Sequence, residues 1–244
     1  TSMVNHKESI TIAIAWCLAW GEGRNPQFDL PILHLMRQAL QEGKEVPEEV
    51  SAIVEEVKEL LAIPLDYCPE KIAQIQTDYP KLWEQKKRIG LVYGGATKIK
   101  QYVFEAAKLP DIRGASGLLD RINLVDLPAF FSKDPPQCED NPNSSKCKKA
   151  REYGDEVRDW LKKIYPQLSA ALIPELIIYS TGGNILAFCP AAFVNDLANA
   201  IEKRYTEETL TANSCAVGKS FKLLEIRFGL LEDNIEETLW LDWY

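Results

Sequence analysis

Residues 176–190 read LIIYSTGGNILAFCP, and this stretch decides how the second half of the chain folds. Two apolar runs flank the pair Gly182-Gly183. Glycine tolerates positive φ, and glycine pairs are common in two-residue turns between antiparallel strands. The pattern therefore predicts a β-hairpin, followed by a helix that starts at Pro190 and buries Val194 and Ile201.

The segments on either side of the hairpin predict two further strands and two helices. Residues 88–94 form a short apolar strand that runs into a glycine pair. Thr97 suits the N-cap of a helix that Pro110 ends, and Ser116 suits the start of a second helix. After the hairpin and its helix, residues 209–217 predict a last strand.

The predicted order over residues 88–220 is strand, helix, strand, strand, helix, strand. This is the order of a ferredoxin-like (βαββαβ) domain, enlarged here by a loop and helix insertion over 132–168. Residues 1–87 predict a helical N-terminal region, in which 47–61 show the clearest helical periodicity. Residues 221–244 predict a C-terminal helical segment whose apolar end either docks on the body or continues into further sequence. The expected fold class is α+β.

Charge and hydropathy narrow the classes of function. The 244 residues include 28 basic and 36 acidic side chains, which gives a net charge of −8. This balance disfavours broad, autonomous binding to nucleic acid, which needs a basic surface that displaces counterions. The apolar run from Ile10 to Trp20 is about half the length that spans a bilayer, so it predicts a buried helix. No signal peptide is expected, and the expected location is the cytoplasm.

The six cysteines contain no C-x-x-C pair of the kind that binds zinc. Cys138 and Cys147 lie nearest to one another, in a polar stretch. A disulfide and a partial metal site are alternatives there, but free thiols in a reducing cytoplasm are the favoured prediction.

Two glycine-containing segments are candidates for ligand binding. The turn Gly182-Gly183 with Asn184 lets a ligand approach the backbone closely, although a tight turn without a ligand is an equal alternative. Residues 113–117 (RGASG) would present backbone amides and the Arg113 charge to a phosphate if a helix starts at Ser116, while an ordinary N-cap serine is the simpler interpretation. Neither segment offers a carboxylate, and a catalytic metal pair needs at least two acidic ligands. Catalysis by this chain alone is therefore not expected.

These segments together resemble one known family. Residues 89–104 (IGLVYGGATKIKQYVF), the pair Lys108-Leu109 and residues 112–119 (IRGASGLL) are similar to the first palm domain of the large subunit of type III CRISPR effector complexes. That family is called CRISPR-associated protein ten. Residues 179–190 resemble its central hairpin, and residues 206–213 resemble the threonine-containing strand that follows.

The resemblance implies a protein that joins RNA-guided target recognition to synthesis of cyclic oligoadenylates from ATP. It implies that a second palm, whose hairpin ends in Gly-Gly-Asp-Asp, supplies the chemistry and the magnesium. The first palm would pair with it, scaffold it and form half of an ATP site, with no catalytic, metal-binding or intrinsic cofactor group of its own. The residues that the likeness places towards the nucleotide are Arg113, Ser116, Gly182, Gly183 and Asn184.

The implied partners are a second palm, the other subunits of the complex, and guide RNA and target RNA reached through the complex, with no membrane. Two other functions stay open. One is a pure interaction module that contacts subunits or RNA without a nucleotide. The other is a stand-alone nucleotide cyclase relative, although the missing acid pair counts against it. Whether the chain is a fragment or a natural split subunit is also open.

Overall fold

The structure is a computed structural model that describes residues 2–67, 69, 72–105, 108–135, 138 and 142–229, the side chains of 2–7 and 72 excepted. The fold is α+β, as the sequence predicts. Helices make up most of the described chain, and its four strands form one antiparallel sheet. Residues 230–244, which include the apolar end of the predicted C-terminal segment, lie outside the described residues.

A layer of helices precedes the sheet in the chain. Helix α1 (Ser2–Trp20) lies at its centre, and every residue from Ile12 to Trp20 is buried. Helices α2 (Leu30–Glu42) and α3 (Glu48–Ala62) pack against α1. The prediction of a buried helix over this apolar run is confirmed.

The ends of α2 and α3 follow from their capping residues. Helix α2 ends at Gly43, which has left-handed backbone (φ 64°), and α3 begins directly after Pro47. Two short helices, α4 (Ile72–Asp78) and α5 (Pro80–Glu84), then lead to the sheet. Most of the apolar stripe that the 47–61 periodicity predicts is buried, and only Leu61 is half-buried; the buried residues are Val50, Ile53, Val54, Val57 and Leu60.

The sheet is built from four strands, β1 (Arg88–Ala96), β2 (Ile177–Thr181), β3 (Asn184–Pro190) and β4 (Ser214–Lys222). Their order across the sheet is β2-β3-β1-β4, and each neighbouring pair is antiparallel. Strands β1 and β3 are therefore central, and β2 and β4 are the edges.

The predicted hairpin is confirmed. Strands β2 and β3 are joined by Gly182 and Gly183 alone, whose φ angles are 63° and 86°. Two successive residues with positive φ form the turn whose twist matches that of antiparallel strands, and glycine adopts it without steric cost.

The remaining helices of the described chain are α6 (Ile99–Phe104), α7 (Leu109–Arg121), a π-helical turn (Ile122–Asp126), α8 (Leu127–Phe130), α9 (Ser145–Ile164), α10 (Pro166–Ala171), α11 (Val194–Thr209) and α12 (Leu223–Phe228), with 3₁₀ turns at Pro174–Leu176 and Ala191–Phe193. The helix predicted to start at Pro190 therefore begins at Val194, because Pro190 is the last residue of a strand and a 3₁₀ turn follows it.

Helix α11 packs closely on one face of the sheet. Val194 contacts Gly90 of β1 and Gly218 of β4, and a Cβ atom at either glycine would lie 2.5 Å from a Val194 methyl group. Small residues at these two points therefore allow the helix to approach the strands. Side chains on this face, such as Val92 and Ile185, are fully buried.

The structure corrects two predicted helix ends before the hairpin. The helix expected to start at Ser116 begins at Leu109, because Pro110 lies in its first turn, where proline's missing N–H is not needed. The proline thus starts this helix and does not end the one before it. That earlier helix follows Lys98, which has positive φ (52°), and Thr97 is not its N-cap.

The last strand begins later than predicted, at Ser214 and not at residue 209. Thr209 ends α11, where its Oγ1 donates to the Tyr205 carbonyl at 2.7 Å and accepts from the Ala212 amide at 3.1 Å. These bonds close the helix end locally. The threonine-containing segment 206–213 is therefore mostly the helix end and its exit, and it forms no part of the sheet.

The predicted helix over 150–168 consists of two helices, α9 and α10. Helix α9 begins earlier because Ser144 caps it, with Oγ accepting the Cys147 amide at 3.0 Å. Cys147 forms a disulfide with Cys138, so the prediction of free thiols at this pair is wrong. The start of α9 brings the two Cα atoms to 4.9 Å, which is within the range of a disulfide. The prediction of free thiols rested on a reducing cytoplasm and did not take this distance into account.

Candidate functional site

The candidate site lies at the end of the sheet where β1 finishes and the β2–β3 hairpin turns. Gly95 of β1 is directly opposite Asn184, the first residue of β3. The Ala96 amide donates a hydrogen bond to the Gly183 carbonyl at 3.0 Å. The glycine-rich end of β1 and the glycine turn of the hairpin therefore lie side by side.

The Asn184 side chain occupies the space that a side chain on Gly95 would need. A Cβ atom on Gly95 would overlap the Gly183 carbonyl oxygen and would lie 2.7 Å from Asn184 Oδ1. The carboxamide of Asn184 forms no hydrogen bond with any described residue, and the residue is half-buried. It can therefore donate and accept hydrogen bonds to a ligand at this edge.

Tyr205 of α11 supports the turn from the helical side. Its hydroxyl donates to the Gly183 carbonyl at 3.4 Å. Burial raises the pKa of the Tyr205 hydroxyl, so the group remains a protonated donor at neutral pH. Tyr205 was not predicted from the sequence, although it lies four positions after Ile201 on the predicted buried side of the helix.

The sheet face opposite α11 is uncovered next to the hairpin. The register places Val217, Tyr93, Leu186 and Tyr179 side by side across β4, β1, β3 and β2. Their exposed fractions are 60% for Val217, 44% for Tyr93 and 38% for Tyr179, and Leu186 is half-buried. We call these four residues the open row. At the far end of the same face Ile89 is fully buried, so the exposure is confined to the hairpin end.

The described strands that form this face carry basic side chains and no acidic ones. None of the four described strands contains Asp or Glu, although the chain has 36 acidic residues. Lys219 lies on the same face as the open row, two residues beyond Val217. Lys98 and Lys100 follow the end of β1, are exposed, and form no ion pair with a described residue. An anionic ligand therefore meets no carboxylate on the strands here.

The second predicted binding segment has a different structure from the one expected. Arg113 and Ser116 lie on the exposed side of α7, inside the helix. Only the first turn of a helix has free amides, so the backbone of 113–117 offers none to a phosphate. Helix α7 packs on α6 and α11, and no described hydrogen bond or ion pair joins Arg113 or Ser116 to the hairpin. The structure thus brings Gly182, Gly183 and Asn184 together at the hairpin. Arg113 and Ser116 lie on a separate helix, where only their side chains are available to a ligand.

A buried ionic network lies behind the hairpin. Asp126 of the π-helical turn is fully buried and accepts hydrogen bonds from Arg204 Nε at 2.8 Å and the Tyr153 hydroxyl at 3.1 Å. Burial raises the pKa of Asp126, while the Arg204 charge opposes the rise. Ser180 of β2 donates to the Asn123 carbonyl of the same turn at 2.6 Å. The network therefore stabilises the turn on which one strand of the hairpin rests.

Neither a metal cluster nor a membrane span is found in the described part of the chain. No group of three or more His, Cys, Asp or Glu residues there is arranged to hold a metal ion. None of its helices combines the length and apolar character that crossing a membrane requires.

The chain was compared with models of protein families, with curated proteins and with solved structures, and no match was found in any of the three.

Proposed function

We propose that this chain is a non-catalytic first palm of the large subunit of a type III CRISPR effector complex. In this role it scaffolds the complex and contributes half of an ATP site for cyclic oligoadenylate synthesis. The other half, with its acidic residues and magnesium, belongs to a second palm. The chain then acts through that palm and through the other subunits, which bring guide RNA and target RNA.

The observation that carries the proposal is the pairing of Gly95 with Asn184 at the hairpin end of the sheet. Two glycine-rich backbone segments meet there, the Asn184 carboxamide has no described hydrogen-bond partner, and the adjoining sheet face is open. A nucleotide can approach such backbone closely. An asparagine offers neutral hydrogen-bonding groups in place of a metal-binding carboxylate, which suits binding without catalysis.

The strand order supports the ferredoxin-like palm in this proposal. A βαββαβ chain whose crossovers are right-handed places its first and third strands in the centre of an antiparallel sheet. The order β2-β3-β1-β4 is of this kind, with helices between β1 and β2 and α11 between β3 and β4. The helical insertion then lies in the first crossover.

Calorimetric titration of ATP into the chain assembled with a second palm, with and without magnesium, tests the nucleotide role. We expect Asn184→Ala to raise the Kd for ATP about tenfold, because loss of one hydrogen bond at a bound ligand is worth about 1.4 kcal/mol. Asn199→Ala is the matched control, since Asn199 is exposed on α11. No ATP binding by the assembly, or equal affinity for both variants, would exclude the nucleotide role.

The open row favours one rival, a pure interaction module. Apolar side chains exposed across several strands are typical of protein contact surfaces. That function predicts that the assembled complex forms and synthesises cyclic oligoadenylates equally well with Asn184→Ala. The same synthesis assay therefore separates the two functions.

A further inference from the structure

We propose that the open row forms a slot for the adenine base of ATP, with Tyr93 and Tyr179 as its walls, Leu186 as its floor and Asn184 at its end. The proposal rests on the nucleotide role proposed above and names the part of the ligand that this chain recognises.

The spacing of the strands sets the width of the slot. Tyr93 and Tyr179 are both opposite Leu186, so they lie two strands apart. Neighbouring strands are about 4.8 Å apart, which separates the two tyrosine backbones by about 10 Å. This distance leaves room for one flat base between the two rings, above the half-buried Leu186.

The next pair along the strands provides a polar end to the slot. Asn184 lies two residues from Leu186 on β3 and so faces the same side of the sheet, about 7 Å away. Its carboxamide carries both a donor and an acceptor, which is the combination that asparagine offers to the edge of adenine. A purine on Leu186 therefore has its edge directed towards Asn184.

Charge identifies a mononucleotide as the occupant. The described strands lack carboxylates, and Lys98 and Lys100 stand beyond the hairpin end, where a triphosphate would extend. A nucleic-acid strand needs a continuous basic groove along its backbone. The strand residues on this face include a single lysine, Lys219, and the whole chain has a net charge of −8. One base with one triphosphate matches this distribution.

Saturation-transfer NMR on the full chain with ATP is the test, because it detects weak binding and reports which protons touch the protein. We expect the adenine ring protons to receive more saturation than the ribose protons. Tyr93→Ala and Tyr179→Ala are each expected to weaken ATP binding by about five- to 150-fold, the range measured for loss of one stacking ring. Tyr93→Phe keeps the ring and should bind ATP like the unmodified chain.

The controls separate stacking from folding. Leu35→Ala removes a side chain of α2 that is 56% exposed and should leave the signals unchanged. Circular dichroism of each variant checks that it is folded, and adenosine should reduce the base signals of ATP more strongly than tripolyphosphate does.

Three results would overturn the slot. The first is unmodified binding in both alanine variants, and the second is stronger competition by a single-stranded oligocytidylate than by adenosine. The third is the absence of any ATP signal with this chain. None of them removes the ATP site of the assembled palms, which the calorimetric titration with Asn184→Ala tests by itself.

Discussion

Gly95 has no space for a side chain because the Gly183 carbonyl and the Asn184 carboxamide fill it. We expect Gly95→Ala to reduce the free energy of unfolding by about 1–3 kcal/mol, as overpacking against rigid backbone does. The substitution should also move Asn184 off β1 and weaken ATP binding in the palm assembly. Urea denaturation gives the first quantity and calorimetry the second.

Gly114 provides a control of opposite sign. It lies on the exposed side of α7, and a Cβ atom there would meet nothing within 4 Å. Gly114→Ala should therefore raise stability by about 0.5–1 kcal/mol, because alanine favours the helix. Equal effects of the two substitutions would mean that Asn184 does not pack over Gly95 as described.

Arg204 of α11 holds three elements together, because it binds Asp126 of the π-helical turn and the Tyr153 hydroxyl of α9. Arg204→Met should lower the free energy of unfolding at pH 7 by about 3–5 kcal/mol, because it leaves the buried Asp126 carboxylate without its closest cation. Arg24→Met is the control, since the Arg24 side chain is 57% exposed and its ion pair with Asp196 should contribute less than about 1 kcal/mol. Urea denaturation of both variants measures the difference.

The pH dependence of the same variant follows from the pKa of Asp126. Burial already raises this pKa above its ordinary value of 3.8, and loss of Arg204 raises it further. A carboxyl group whose pKa is higher in the folded state favours folding at low pH, and this contribution is lost as the pH rises through the folded pKa. The loss caused by Arg204→Met should therefore be smaller at pH 4 than at pH 7. Arg121 remains 3.7 Å from Asp126 in this variant, and a loss that does not change between these pH values would contradict the burial of a carboxylate that has lost its closest cation.

Some of these elements could be predicted from local sequence and others could not. The hairpin followed from one glycine pair, and α3 followed from the helical periodicity of residues 47–61, because each signal acts on its own neighbours. The prediction that Pro110 ends a helix was wrong, because a proline can also begin a helix and packing decides between the two.

The candidate site shows the same division between local signals and packing. The turn residues Gly182, Gly183 and Asn184 were identified from their sequence. Tyr93 and Tyr179 were not, because strands that are apolar on both faces do not reveal which face a helix leaves open. Tertiary arrangement alone brought them into one row.

At the scale of the whole molecule, the acidic residues lie outside the strands. The chain has a net charge of −8, yet its described strands hold only basic charges, Arg88, Lys219 and Lys222. Arg88 and Lys222 pair at the end of the sheet away from the hairpin, so at the hairpin end the strands offer an anionic ligand no repelling carboxylate, while the chain as a whole repels a polyanion. The described strands carry no acidic groups at either end, which agrees with the proposal that this chain binds nucleotide and that a second palm supplies the catalysis.

The most direct test of this division of roles is mass spectrometry of the products formed from ATP and magnesium. The reaction is run with this chain alone, with a Gly-Gly-Asp-Asp palm protein alone, and with both in the assembled complex with target RNA. We expect cyclic oligoadenylates only from the assembly that contains both palms. Product from this chain alone, or an equal yield from the second palm without it, would contradict a non-catalytic role that supports the second palm.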